Sequence, residues 1–387
     1  MKDQVEKYRA YARSIKRFLL LGGILPSGKE RNTIYRLLPV VIVVSGIVVT
    51  CALGNSCLKH SNNLARLTKR NYYNNSSNFC PQTIIFCLYR KELIRLDKIL
   101  GQLFEDALME QRLRAPLLSH IRYFYEPIHF FAFLTMAALG MHYVKPSILL
   151  GIHFLRGTDF NFANVPFGGI YPWKIDSMSF YQLHFFNELQ FAWFVLFVTS
   201  GVDTLLGFHV FQMSGLLRTM TFEMRNVQKS VDRKEVMCKC VHTHTCLMEC
   251  RDILRRIYGP IVLIMVLTNA LVMCTIIFQA FQLDVMTIDR AILFGFYVFM
   301  KMAQTFMYAW YGEFVTTESE MFHRAICYCG WYEFGDNGFT RSLVLIMMQK
   351  PIVLTAFNFI KISLDIFVRI SNTTISYFFL LRTLEEK

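Results

Sequence analysis

The chain has 387 residues, of which 54% are hydrophobic and 15% aromatic, and it includes 36 phenylalanines. With a mean hydropathy of +0.34, this composition excludes an ordinary soluble domain and indicates a membrane domain with several spans. The net charge of +13 would suit nucleic-acid binding, but the distribution of the basic residues, counted below, assigns that charge to one membrane face and predicts no nucleic-acid partner.

The first elements are a basic amphipathic helix and three spans. Residues 1–33 lack the apolar core of a signal peptide and are predicted to form a cytosolic helix. The first span is Ile34–Gly54. The second, Leu64–Leu88, contains the polar run 71–78, so it requires a polar face that is sheltered by protein or lines a watery cavity. The third span is Tyr123–Val144.

The second half of the chain contains four more predicted spans and the segments that join them. In order these are an outer loop (Lys145–Ser177), a fourth span (Phe180–Phe208) whose helix continues to Asn226, a fifth (Tyr258–Phe281), a sixth (Ala291–Tyr311), a half-polar helix (Thr316–Gln349) and a terminal apolar helix (Pro351–Leu381). Pro260 is expected in the first turn of the fifth span, where its missing N–H costs little. Pro351 is expected to separate the last two helices.

Basic residues give the orientation. With the N-terminus in the cytosol, the four inner regions hold nine, seven, nine and three Lys or Arg residues, 28 in all. The three outer loops then hold four, three and one, eight in all. Lys and Arg near span ends resist translocation, so this asymmetry predicts an N-terminus inside and a C-terminus outside. The excess charge then faces the cytosol and anionic lipid.

The end of the chain resembles the C-terminal signature of the insect odorant receptors. The matching residues, in the family's order and approximate spacing, are Tyr311-Gly312, Ser319, Trp331-Tyr332, Gln349-Lys350-Pro351, Ser363, Phe367, Ser376-Tyr377-Phe378 and Leu381-Arg382. The resemblance also reaches Val165–Asn226, so recognisable blocks cover about half of the chain.

Three related classes fit less well. A G-protein-coupled receptor has its N-terminus outside and usually ties the third helix to the second outer loop by a disulfide, whereas Lys145–Ser177 has no cysteine. Gustatory receptors end in a motif from which this chain departs at Ser376, Arg382 and Thr383-Leu384. The shared odorant co-receptor has a much longer inner segment than Arg218–Arg256. The resemblance therefore favours a ligand-tuning odorant receptor.

This resemblance implies an all-α membrane protein with seven transmembrane helices in a single domain, residues 1–387. It comprises the cytosolic helix 1–33, spans one to six in 34–312, a cytosolic anchor in 313–350 and a pore-lining seventh span in 351–387. The expected protein is an odorant-sensing subunit that joins the co-receptor in a tetrameric, ligand-gated, non-selective cation channel of the sensory-neuron plasma membrane. A homomeric gustatory-like channel is the alternative, followed by a G-protein-coupled receptor or a scaffold without channel activity. No cofactor and no enzymatic motif are expected.

The resemblance also implies three groups of functional residues. The pore and its gate are expected at Thr373, Ser376, Tyr377, Leu380 and Thr383, with Leu380 as an apolar constriction. The subunit anchor is expected at Ser319, Trp331 and Tyr332. The odorant pocket is expected in the outer half of the bundle, lined by Tyr72, Tyr73, Met136, Gly140, Tyr143, Glu188, Phe191, Phe294 and Tyr297, because small volatile ligands are held mainly by shape and dispersion contacts.

Two patterns leave alternatives open. Lys301 lies near the middle of the sixth span, where it pairs with Glu188 of the fourth span, extends to the membrane surface or faces a watery cavity. A helical stripe with a spacing of four residues offers zinc ligands, although a helix packed on its neighbours explains the same pattern. Its members are Cys238, His242, Cys246 and Cys250.

Overall fold

A computed structural model describes residues 2–22, 33–59, 82–156, 171, 173, 177–229, 232–281, 288–333, 337–357 and 360–385. Its α-helices are α1 (Lys2–Leu21), α2 (Thr33–Lys59), α3 (Arg90–Met109), α4 (Arg114–Leu118), α5 (Ile121–Arg156), α6 (Met178–Arg225), α7 (Arg233–Phe281), α8 (Ile288–Cys327), α9 (Asn337–Met348) and α10 (Leu364–Glu385). Residues 82–88 are also helical and lead into α3 through a turn at Tyr89. Strands β1 (Thr355–Ala356) and β2 (Ile360–Lys361) pair antiparallel.

The predicted helical class is confirmed for these residues. The first, third, fourth, fifth and sixth predicted spans lie within α2, α5, α6, α7 and α8, respectively. The extension of the fourth helix is also confirmed, since α6 ends at Arg225 and is capped by Asn226. Of the predicted second span, the part before residue 82 lies outside the described residues. Among the helices described, α6 and residues Arg233–Cys274 of α7 are long and apolar enough to cross a bilayer.

Helix α6 is the centre of the helical bundle, and its C-terminal half is the most enclosed part. Every residue from 200 to 221 is buried, because α1, α3, α5 and α8 surround this part of the helix. Along the contact between α6 and α8, residue numbers increase in the same direction on both helices. Asp203 bonds Gln304 over 2.9 Å, and Arg218 bonds Glu318 over 3.3 Å. The two helices are therefore parallel and share one register.

The N-terminal helix α1 is amphipathic, as predicted. Its buried face has helical spacing, with Tyr8, Tyr11, Ile15 and Leu19 all at 5% exposure or less. The Tyr11 hydroxyl donates to the Thr204 carbonyl over 3.3 Å, and the Tyr8 and Phe104 rings stack with centroids 4.6 Å apart. The opposite face of α1 keeps its basic residues exposed. Burial of this apolar face fixes α1 against the inner half of α6.

The predicted position of Pro260 in a first turn is wrong. Pro260 lies inside α7, because the preceding basic segment is itself helical and continues without a break into the fifth span. A proline there cannot donate to the carbonyl four residues earlier, which weakens the helix locally. The β-hairpin packs on α7 at this point, and the backbone nitrogen of Phe357 lies 3.5 Å from the Cβ position of Gly259.

The C-terminal part also differs from the prediction of two helices. The half-polar segment is divided between α8, which ends at Cys327, a 3-10 turn at Trp331–Glu333, and α9. Residues 351–354 are extended and lead into the hairpin, so the terminal helix begins at Leu364 and not at Pro351. Proline and the β-branched residues that follow it favour extended backbone, and Phe357 adopts a positive φ of 49° in the turn.

A glycine contact fixes the hairpin against α8. A Cβ atom at Gly312 would overlap the carbonyl oxygen of Ile362 and lie 2.8 Å from its carbonyl carbon. Nearby, the Ser319 hydroxyl accepts a hydrogen bond from the backbone N–H of Ile352 over 2.8 Å. The end of α8 therefore holds both ends of the extended segment that precedes α10.

Candidate functional site

A polar and aromatic cluster surrounds Glu188 in the part of α6 predicted to lie in the outer half of the bundle. Glu188 is fully buried, and its Oε1 accepts a hydrogen bond from the Tyr171 hydroxyl over 2.8 Å. The carboxylate also interacts electrostatically with the hydroxyls of Tyr143 on α5 and Tyr181 on α6. Burial and the neighbouring carboxylate raise the pKa of Tyr171 in the outer loop, so this hydroxyl stays protonated and donates.

Residues that precede α6 fold back to close one side of this cluster. Ser177 caps the helix by accepting from the N–H of Phe180 over 3.4 Å, and Tyr171 and Trp173 lie beside His184. The Trp173 indole N–H donates to Nε2 of His184 over 2.8 Å, and the Tyr171 and His184 rings have centroids 4.2 Å apart. A carboxylate with aromatic neighbours can orient a small ligand that donates a hydrogen bond.

The structure brings some of the predicted pocket residues together. Tyr143 contacts Phe185 edge-on, with ring centroids 6.1 Å apart, and Phe191 is buried one turn after Glu188. Gly140 has no neighbouring atom within 4 Å of its Cβ position. Of the other predicted pocket residues, Met136 is 47% exposed and Tyr297 is half-buried. Tyr72, Tyr73 and the side chain of Phe294 lie outside the described residues.

The shared register of α6 and α8 determines which acidic side chain lies near Lys301. Lys301 makes no ion pair with Glu188, and the acidic group that acts on it is Asp203. Asp203 accepts hydrogen bonds from Tyr308 and from Gln304. Since Glu188 precedes Asp203 by 15 residues, it lies about 22 Å farther along the helix, opposite the start of α8. By the same register, residue 294 lies at the depth of residues 193–194 of α6.

The terminal helix α10 has two distinct faces. Ile370 and Thr374 are buried against α7 and α8, whereas Thr373, Ser376 and Thr383 are exposed. The three exposed residues lie at helical spacing on one side, and Thr373 and Ser376 donate to the carbonyls of residues four positions earlier. Tyr377 and Leu380 belong to the same helix, but their side chains lie outside the described residues.

The predicted anchor residues differ in exposure. Ser319 is fully buried and bonds within its own chain. Trp331 is half-buried against the core, while Tyr332 is 73% exposed. Tyr332 belongs to a wider group of exposed apolar side chains, whose other members are Tyr328, Val344, Leu345 and Met348.

A buried ion pair joins α6 and α8. The Nη1 atom of Arg218 donates to Oε1 of Glu318 over 3.3 Å and also contacts Nδ1 of His120. Burial lowers the pKa of Arg218, an effect that Glu318 opposes. Burial likewise raises the pKa of Glu318, and Arg218 counteracts this rise. Within the described chain, Nε and Nη2 of Arg218 and Oε2 of Glu318 have no hydrogen-bond partner.

The proposed zinc stripe does not form a cluster. In the described part of the chain, no group of three or more potential ligands converges on one point. Cys250 is buried, whereas Cys238 and His242 are exposed.

Sequence reasoning missed Tyr171 and Tyr181, which interact with Glu188, and His184 and Trp173, which contact Tyr171. One signal was available, because Tyr181, His184 and Glu188 follow at intervals of three and four residues and so share a helix face. The return of the outer loop onto that face had no such signal.

Comparison with known proteins gives the family. The family model described as 7tm Odorant receptor matches residues 71–375, which is well over half of the chain. Odorant receptor 82a of Drosophila melanogaster is 23% identical over 284 residues, covering 69% of this chain and 73% of the relative. The odorant receptor coreceptor of Anopheles gambiae is 26% identical over 125 residues, and this match spans 32% of the chain and only 26% of the coreceptor.

A solved structure gives the same fold. The insect olfactory receptor OR5 from Machilis hrabei, in complex with eugenol, superposes with a TM-score of 0.78 at 14% identity, covering 97% of this chain and 99% of OR5. The predicted membrane localisation and the absence of an enzymatic role agree with a receptor family. The chain therefore belongs to the 7tm odorant receptor family of insects.

Proposed function

We propose that this protein is an odorant-sensing subunit of a heteromeric ligand-gated, non-selective cation channel, formed with the odorant co-receptor in the plasma membrane of sensory-neuron dendrites. The observation that carries the proposal is the family match across residues 71–375. The segment Arg218–Arg256 supports a ligand-tuning subunit, because it consists almost entirely of the ends of α6 and α7. The test is current evoked by an odorant panel in cells that express this chain with or without the co-receptor. Current without the co-receptor would indicate a homomeric channel instead.

We propose that the ligand pocket lies in the outer half of the bundle around Glu188. The buried carboxylate supplies a hydrogen-bond acceptor, and the surrounding aromatic side chains supply dispersion contacts. Such a site favours small volatiles that donate a hydrogen bond, such as alcohols and phenols. Eugenol, the molecule bound to OR5, is a suitable first probe because it has one phenolic O–H. Its methyl ether is the matched control, since it keeps the shape but cannot donate.

Substitutions in this pocket are expected to change odorant potency alone. Gly140→Leu fills open space, and Tyr297→Ala removes a ring from α8, so each should shift the half-maximal odorant concentration by about tenfold, which corresponds to about 1.4 kcal/mol. Dose–response curves are recorded in cells that also express the co-receptor, and a co-receptor agonist is the control. Unchanged odorant curves for both variants would place the pocket elsewhere.

We propose that the exposed hydroxyl face of α10 lines the pore, with Leu380 as the gate. A ring of apolar side chains stops ions by excluding water, and a polar residue there restores hydration. Leu380→Ser is therefore expected to increase resting current in the assembled channel. Thr374→Ser, on the buried face of α10, is the matched control and should leave resting current unchanged. Wild-type resting conductance and permeation for Leu380→Ser would remove this residue from the gate.

We propose that exposed apolar residues of the anchor contact neighbouring subunits. Large aromatic side chains that are exposed in one protomer commonly become central in an interface. Tyr332→Ala and Trp331→Ala should each reduce co-purification with the co-receptor more than they change odorant potency, and Tyr332→Ala should do so without destabilising the protomer, because Tyr332 is 73% exposed. Normal co-purification with a large potency shift would assign these residues to ligand sensing.

A further inference from the structure

An open groove separates α1 from α3 and has α6 as its floor. Its volume is about 1090 Å³. The groove lies beside Phe208, the residue at which the fourth span is predicted to meet the cytosolic membrane surface. Its polar and charged lining residues are Glu6, Arg9, Arg13, Lys16, Asp97, Glu105, Arg114 and Gln212.

The two walls of this groove differ in net charge, because α1 contributes three cations and the one carboxylate of Glu6, and the opposite side contributes two carboxylates and the one cation of Arg114 of α4. Arg9, Arg13 and Lys16 line it from α1, whereas Asp97 and Glu105 line it from α3. Among the ion pairs of the described residues, none contains any of these five side chains. Gly101 lies between the two carboxylates along α3, with no neighbouring atom near its Cβ position. The opposite charges therefore face each other across a space that the protein does not fill.

The floor contains a buried acceptor without a partner. Gln212 is 1% exposed, and its Nε2 donates to the Tyr8 hydroxyl over 3.2 Å. Its Oε1 has no hydrogen-bond partner in the described part of the chain, and the same is true of both ring nitrogens of the neighbouring buried His209. These atoms have almost no accessible surface, so Gln212 closes the floor of the groove and the charged side chains of its walls are the groups that a bound molecule can reach.

We propose that the groove binds the phosphoethanolamine headgroup of phosphatidylethanolamine in the cytosolic leaflet. This binding site goes beyond the odorant-gated activity proposed above. The phosphate bonds the guanidinium groups of α1, which suit phosphate oxygens. The ammonium donates to the carboxylates of α3. A purely anionic ligand would be repelled by α3 and a purely cationic one by α1. The position at the inner membrane surface favours a lipid over a soluble molecule.

Lipid retention tests this proposal. The purified complex of this chain with the co-receptor is placed in nanodiscs with equal amounts of phosphatidylethanolamine and phosphatidylcholine, and retained lipid is measured by native mass spectrometry. We expect about tenfold enrichment of phosphatidylethanolamine, because the trimethylated ammonium of choline has no N–H to donate. The exposed substitutions Asp97→Asn and Glu105→Gln together should abolish the enrichment, while Asp106→Asn, on α3 but outside the groove, should preserve it.

Further measurements distinguish a lipid from a soluble ligand, and loss of binding from loss of folding. Arg9→Gln with Arg13→Gln should reduce retention of phosphatidylethanolamine to that of phosphatidylcholine, with an unchanged unfolding temperature. Equal retention of the two lipids by the unmutated complex, or enrichment that persists in both groove variants, overturns the proposal. Free phosphoethanolamine that saturates the site in lipid-depleted complex at micromolar concentration would assign the groove to a soluble ligand and overturn the lipid assignment. Odorant-evoked current is read separately, so failure here is distinguishable from failure of the proposed function.

Discussion

Gly312→Ala is expected to destabilise the receptor by about 3 kcal/mol or more and to reduce its amount at the cell surface. The added methyl group would overlap the backbone carbonyl of Ile362, and backbone cannot rotate away as a flexible side chain can. Overpacking of a fitted core costs about 1–3 kcal/mol even where side chains can adjust. The measurements are surface labelling and the unfolding temperature of the detergent-solubilised receptor.

Gly295→Ala on the same helix is the matched control. Its Cβ position has no neighbouring atom within 4 Å, and alanine in a helix is more stable than glycine by about 0.5–1 kcal/mol. The two substitutions are chemically identical but should therefore have opposite effects. Comparable stability of Gly312→Ala and Gly295→Ala would show that the hairpin does not need this close approach to α8.

The helices could be predicted from the sequence because the length and spacing of apolar runs are local properties. The fourth helix was followed correctly from Phe180 to Asn226, since nothing in that stretch favours another conformation. The same reasoning placed Pro260 in a first turn, because a change from basic to apolar residues resembles a helix start. That change marks the predicted membrane surface, and the helix itself continues through it.

The conformation after Pro351 shows a second limit. A proline and a long apolar run predicted a helix that begins at once, whereas residues 351–357 and 360–363 first form an extended segment and two paired strands. This segment is held by Ser319 and Gly312 of α8, more than 30 residues earlier in the chain. Contacts with such distant residues reinforce the extended preference of Pro351 and the β-branched residues after it, and a local pattern of apolar residues does not contain them.

The candidate site was predictable where its residues share one helix. Glu188 and Phe191 lie on a buried face of α6, as expected. The suggested ion pair between Glu188 and Lys301 does not form. The sequence gives only the approximate membrane depth of each residue, whereas the register of α6 against α8 puts Asp203 next to Lys301. Tyr171 and Trp173 reach the site from the segment that precedes α6, and no helical spacing predicts that approach.

Removal of either member of the buried pair Arg218 and Glu318 is expected to be the most damaging change in the inner region. Both side chains are less than 10% exposed, and Arg218 also lies over the Phe314 ring, with its Cζ 5.7 Å from the ring centroid. Arg218→Met leaves the Glu318 carboxylate buried without its countercharge, and Glu318→Leu does the same to the guanidinium. Each single change should cost about 3–5 kcal/mol in the free energy of unfolding.

The double substitution separates charge from packing. With Arg218→Met and Glu318→Leu combined, no uncompensated charge remains and apolar side chains fill the space, so most of the stability should return, as expected when a buried ion pair is replaced as a unit. Glu320→Gln is the matched control, because its pair with Arg324 on the same helix is exposed, at 3.8 Å, and should contribute at most about 1 kcal/mol. Chemical unfolding of the solubilised receptor measures all four variants. A double variant whose loss equals the sum of the two single losses would mean that α6 and α8 are joined here by packing of the long side chains and not by their charges.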